Sequence, residues 1–95
     1  MARSEKPLVI DGIEVNLTAE DFDDFEILEC LADMIDETAE QSAKVAATVR
    51  VYRLLFGPDL GRIKRELRAK HGGKLANEVM GDFLNSCMTA ANAKN

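Results

Sequence analysis

The chain has 95 residues, 46% of them apolar and 5% aromatic, with no Trp and a formal net charge of −5. That length supports one small domain with a modest core of Leu, Ile, Val, Ala and Met, too small to enclose a deep substrate cavity as a monomer, and the apolar share excludes a disordered tail. No run suits a membrane span or a signal peptide, and the two cysteines, Cys30 and Cys87, sit at apolar helical positions without metal-ligand spacing, as reduced buried thiols.

In chain order, two short β-prone runs flank Asp11-Gly12 within LVIDGIEVNL, residues 8–17. Asp-Gly suits a type I′ turn, which needs positive φ at both central residues, so this segment is predicted as a β-hairpin. Thr18 reads as a helix N-cap, with Glu20 and Asp21 in the first turn at the positive end of the helix dipole. Phe22, Phe25, Leu28, Leu31, Ala32 and Ile35 recur at helical spacing as the main apolar face, widened by Ile27, Cys30 and Met34. A second helix is expected from about residue 38 to Phe56, with Val45, Val49, Tyr52 and Phe56 along one side. Gly57 ends it, and Pro58 fits the first turn of a third helix, where its missing N–H is an orphan anyway. That helix carries Leu60, Ile63 and Leu67 and stops at Gly72-Gly73. A fourth, over about 74–91, shows Leu75, Val79, Met80, Phe83, Leu84, Cys87 and Ala91, with a frayed tail at 92–95. The predicted fold is therefore a single, mainly α domain over 1–95, with a hairpin at 8–17 packed on about four helices within 18–91.

The stretch TAEDFDDFEILECLADMIDE, residues 18–37, holds nine acids and no base, and invites a chemical reading. A calcium loop begun at Asp21 would place Glu26 where the sharp turn needs Gly and Ala32 where a bidentate Glu belongs, so the match fails. Paired-carboxylate catalysis needs one carboxyl desolvated, whereas Glu26, Glu29, Asp33, Asp36 and Glu40 fall on a face opposite the apolar stripe. His71 has no second His or nearby Cys, the serines have no partnered His, and GPDLG lacks the pattern of a phosphate loop. No catalytic, metal or cofactor site is predicted.

Charge distribution says more. Thr18 to Ser42 contains ten acids and no base, while Ala43 to Lys74 contains nine bases and only Asp59 and Glu66 as acids. Arg62, Lys64, Arg65, Arg68 and Lys70 form a basic side on the third helix, but the net negative charge and the lack of interleaved aromatics disfavour nucleic acid. A helix built for stability alone would mix signs at four-residue spacing. The two surfaces are expected instead to meet within the chain, between copies head to tail, or on a partner protein.

The hairpin, the acidic helix, the phrase VYRLLFGPDLGRIKRELRAKHGG and the segment KLANEVMGDFLNSCMTAANAKN together resemble the tail assembly chaperones of long-tailed bacteriophages and prophages. In that family a helix commonly ends in a motif like Leu54, Leu55, Phe56 and Gly57, followed by a basic amphipathic helix, a glycine break, and a last helix with an acidic and aromatic centre, here Glu78, Asp82 and Phe83. The resemblance spans nearly the whole chain and is one of layout, with no catalytic signature. It implies a non-catalytic chaperone in the host bacterial cytoplasm, absent from the mature virion. Such a chaperone would bind the tape measure protein, keep it soluble and help recruit tail tube subunits. Family members are often also made in a longer, frameshifted form, and Ala93-Lys94-Asn95 is compatible with a slippery heptamer at the codon level.

Under this reading, Glu26, Glu29, Asp33 and Asp36 supply the electrostatics, with Arg62, Arg65 and Arg68 as the complementary side. Phe22, Phe25 and Ile35 are read as core, and apolar helix faces at a groove or self-association surface would cover the client. The alternatives are a head-to-tail connector or other structural phage subunit, or a small helical nucleic-acid-associated protein.

Overall fold

The computed structural model describes residues 7–93. Strands β1 (Leu8–Ile10) and β2 (Ile13–Val15) pair antiparallel with Leu8 opposite Val15 and Ile10 opposite Ile13. Asp11 and Gly12 have φ of +54° and +78°, as the type I′ turn requires. Alternation then points Leu8, Ile10, Ile13 and Val15 inward and Val9 and Glu14 outward. This inner face closes the core, with β1 against the last helix and β2 against the third.

The acidic segment departs from the single helix expected from Thr18. Ala19–Phe22 forms a 3-10 turn, the chain breaks at Asp23-Asp24, and helix α1 runs only from Phe25 to Ile35. Short acidic side chains cause the break. The Asp21 carboxylate accepts the Thr18 N–H at 2.8 Å, and Asp24 accepts the N–H groups of Glu26 and Ile27 at 2.8 and 3.3 Å as the true N-cap of α1. Phe22 is thereby turned into the core, while α1 enters with a different face inward.

Helix α2 (Gln41–Phe56) packs on α1 and is followed without a loop by a 3-10 turn (Gly57–Asp59) and α3 (Leu60–Lys70). The expectation of four separate helices is corrected accordingly: the described residues contain three helical runs, of which the middle one bends at Gly57. Gly57 takes φ +51° and ψ −126°, and Pro58 continues directly into the turn, so the corner needs no connecting segment. At the far end, Gly72 and Gly73 have φ of +71° and +90°, and the Gly73 N–H reaches back to the Arg68 carbonyl at 2.7 Å.

Helix α4 (Asn77–Ala93) starts three residues later than predicted and continues through Ala93; the rest of the expected frayed tail, residues 94–95, lies outside the described residues. Its Phe83, Leu84 and Cys87 meet Ile13 and Val15 of β2, Val51 of α2, and Ile63 and Leu67 of α3 in one cluster of deeply buried side chains. Each large side chain so buried contributes roughly 1.5–3 kcal/mol. Tyr52 of α2 adds a polar tie, donating its hydroxyl to the Met80 carbonyl on α4 while its ring stacks on Phe56.

Candidate protein-binding surfaces

Three surfaces stand out, and each begins with how α1 and α3 are held. Eight of the eleven residues of α1, FEILECLADMI, are apolar, more than one buried face can use. Ile27 and Cys30 are buried and Leu31 and Met34 half-buried, whereas Phe25, Leu28 and Ile35 are 76%, 46% and 79% exposed. The expected core role of Phe25 and Ile35 is therefore corrected. Ile27, Cys30 and Met34, which widen the apolar stripe, face the core, and four of the six stripe residues, Phe25, Leu28, Ala32 and Ile35, face solvent.

The first surface is an apolar groove of about 510 Å³ between α1 and α4, lined by Leu28, Leu31, Ala32, Met34 and Ile35 on one wall and by Gly81, Leu84, Asn85 and Met88 on the other. The wide apolar arc of α1 was the sequence signal for it. Spacing alone could not say which part of that arc would remain uncovered.

The second surface is the acidic ridge. Glu26, Glu29, Asp33 and Asp36 are all exposed, as expected. Asp36 has a local task as well, accepting the N–H and hydroxyl of Thr38 at 2.9 and 2.7 Å, bonds that lower its pKa. The third surface is α3, where the predicted basic residues divide. Arg62 grips Asp59 through Nε and Nη2 at 2.8 and 2.7 Å, Glu66 through Nη1 at 3.0 Å, and the Glu14 carbonyl of β2 through Nη2 at 2.7 Å. Asp59 and Glu66 raise the Arg62 pKa, and Arg62 in turn holds the Asp59 carboxyl below its usual range. Arg62 is thus a clasp between α3 and the hairpin. Arg68 donates to the Gly73 carbonyl at 3.0 Å and closes the exit of α3, while Arg65 is exposed. Among the described residues no ion pair joins α1 to α3, so their opposite charges do not neutralise one another within the chain.

The chain matches no family model, no curated protein and no solved structure.

Burial pushes the Tyr52 phenol up, and burial together with the charge of Asp11 pushes the Cys87 thiol up to about 12, so neither is an activated nucleophile. Among the described residues no group of three or more His, Cys, Asp or Glu side chains is placed to hold a metal ion, and no helix is long and apolar enough to cross a membrane.

Proposed function

We propose that this protein is a non-catalytic tail assembly chaperone of a long-tailed phage or prophage, acting in the host cytoplasm. It binds the tape measure protein and helps recruit tail tube subunits, and it leaves before the virion is complete. The observation that carries the reading is the solvent-facing apolar half of α1. Phe25 and Ile35 expose most of their surface beside a groove on a small domain, an arrangement suited to covering apolar segments of a client. The order of elements, from hairpin through acidic helix to basic helix and glycine break, supports the same reading.

The acidic ridge steers basic client segments, and the base-bearing α3 equips copies for head-to-tail association. Co-expression with the product of a neighbouring tape measure gene tests the proposal. The expected result is a soluble complex that purifies as one species, with the chaperone missing from purified virions by mass spectrometry. A tape measure protein that neither dissolves nor co-purifies overturns the reading, and retention in virions replaces it with a structural subunit. Reversing Glu26, Glu29 and Asp33 to Lys should weaken capture; unchanged capture removes the steering role.

A further inference from the structure

We propose that the groove between α1 and α4 is the docking site for a single amphipathic helix of another protein, apolar along the buried face and bearing Lys or Arg along both edges. The groove-lining segments, Leu28–Ile35 and Gly81–Met88, each extend about 12 Å at about 1.5 Å per residue. That is roughly two turns, the span over which a helical ligand presents three or four apolar anchors to a groove. Met34 and Met88 are adaptable lining residues, and a Cβ added at Gly81 would meet nothing within 4 Å, so one wall is open at that point.

Charge selects the occupant. Neither α1 nor α4 contains a Lys, Arg or His. Along α1, Glu29 follows Phe25 at four-residue spacing and so borders the apolar side, and Asp36 caps the helix just beyond Ile35; along α4, Glu78 and Asp82 stand three residues from Gly81 and Asn85. Both edges of the groove are therefore acidic, and neither helix supplies a cation to offset them; among the described residues Lys44 of α2 acts on Asp36. A second copy of this chain is a poor occupant. Two-fold pairing of the grooves would oppose acid-only walls, and of the two base-bearing helices α3 has Ile63 and Leu67 wholly buried in its own core, while α2 buries Val51, Tyr52 and Phe56 and leaves only Val45, Val49 and Leu54 partly exposed. The natural identity of the partner rests on the function proposed above; the location and chemistry of the site do not.

The test uses the full chain and a labelled synthetic helix of about 18 residues, some five turns, with Leu on one face and Lys and Arg at its edges. A second peptide carries Glu at those edges. In fluorescence anisotropy the basic-edged peptide should bind at least about tenfold more tightly than the other and should weaken as salt is raised. Gly81→Trp, which fills the groove, should reduce binding at least about tenfold without loss of the helical circular dichroism spectrum. Glu29→Lys combined with Asp82→Lys should invert the preference, and the gained affinity for the Glu-edged peptide shows that the variant is folded. Absent binding, equal binding of both peptides, or indifference to Gly81→Trp overturns the site. A dimer in sedimentation that Gly81→Trp dissociates overturns it in favour of a second copy. The tape measure protein, run in parallel, separates the two proposals: capture that survives Gly81→Trp defeats the groove and leaves the chaperone reading, whereas peptide binding without capture does the reverse.

Discussion

Ile27 and Ile35 lie on the same helix and differ in one respect that matters, their phase: Ile27 is 2% exposed and Ile35 is 79% exposed. Replacing each by Ala removes three carbons. At about 0.8 kcal/mol per buried methylene, Ile27→Ala loses roughly 2.4 kcal/mol of transfer free energy, and an incompletely collapsed cavity adds to this, for about 3 kcal/mol in all. Ile35→Ala loses almost no burial and gains slightly in helix propensity, so its effect should stay within about 0.5 kcal/mol of zero. Urea unfolding followed by far-ultraviolet circular dichroism measures both, and in a domain of this size the Ile27 variant should melt roughly 12–24 °C lower. Equal losses, or a larger loss at Ile35, would refute the placement of α1. They would restore the face Phe25, Leu28 and Ile35 as the packed one and remove the groove.

Gly81→Ala should stabilise the protein by about 0.5–1 kcal/mol, since the glycine lies inside α4 and an added Cβ finds open space; thermal melts check this. Arg62→Ala should cost about 1 kcal/mol at neutral pH, the scale of partly exposed pairs. The Asp59 contribution is present above its unfolded pKa and is lost as pH falls through the lowered folded value, so the gap between wild type and this variant should narrow below about pH 4 in denaturant titrations. At the alkaline end the signs reverse. Cys87 and Tyr52 keep their protons longer when folded, so stability is complete below their unfolded pKa values and should decline above about pH 9, first through the thiol and then through the phenol. Tyr52→Phe should remove the later part of that decline, seen as a flatter dependence of the urea midpoint above about pH 10.

Residues with local consequences made much of this architecture legible. Asp11-Gly12 dictates a hairpin because both of its residues accept positive φ, Gly72-Gly73 ends a helix for the same reason, and Pro58 can only stand at a helix start or turn. The acidic ridge at Glu26, Glu29 and Asp33 was visible too, because a run without bases cannot neutralise itself wherever it folds. The roles of Arg62 and Arg68 were not. As letters they are two more cations in a basic helix, and only the arrival of the Glu14 carbonyl and the Gly73 carbonyl beside them turns surface charge into clasp and cap.

The sequence by itself thus determined the hairpin turn at Asp11-Gly12, the helix stop at Gly72-Gly73, which surfaces are charged, and how much apolar area α1 carries. Such turns and charge runs are properties of neighbouring residues. The tertiary structure decided the phase of α1, the corner that joins α2 to α3, and the groove facing α4. An apolar arc of eight residues on eleven is compatible with several faces inward. The choice among them is made by the Asp24 cap and by the partners that Ile27 and Cys30 find across the core, which lie far away in the chain.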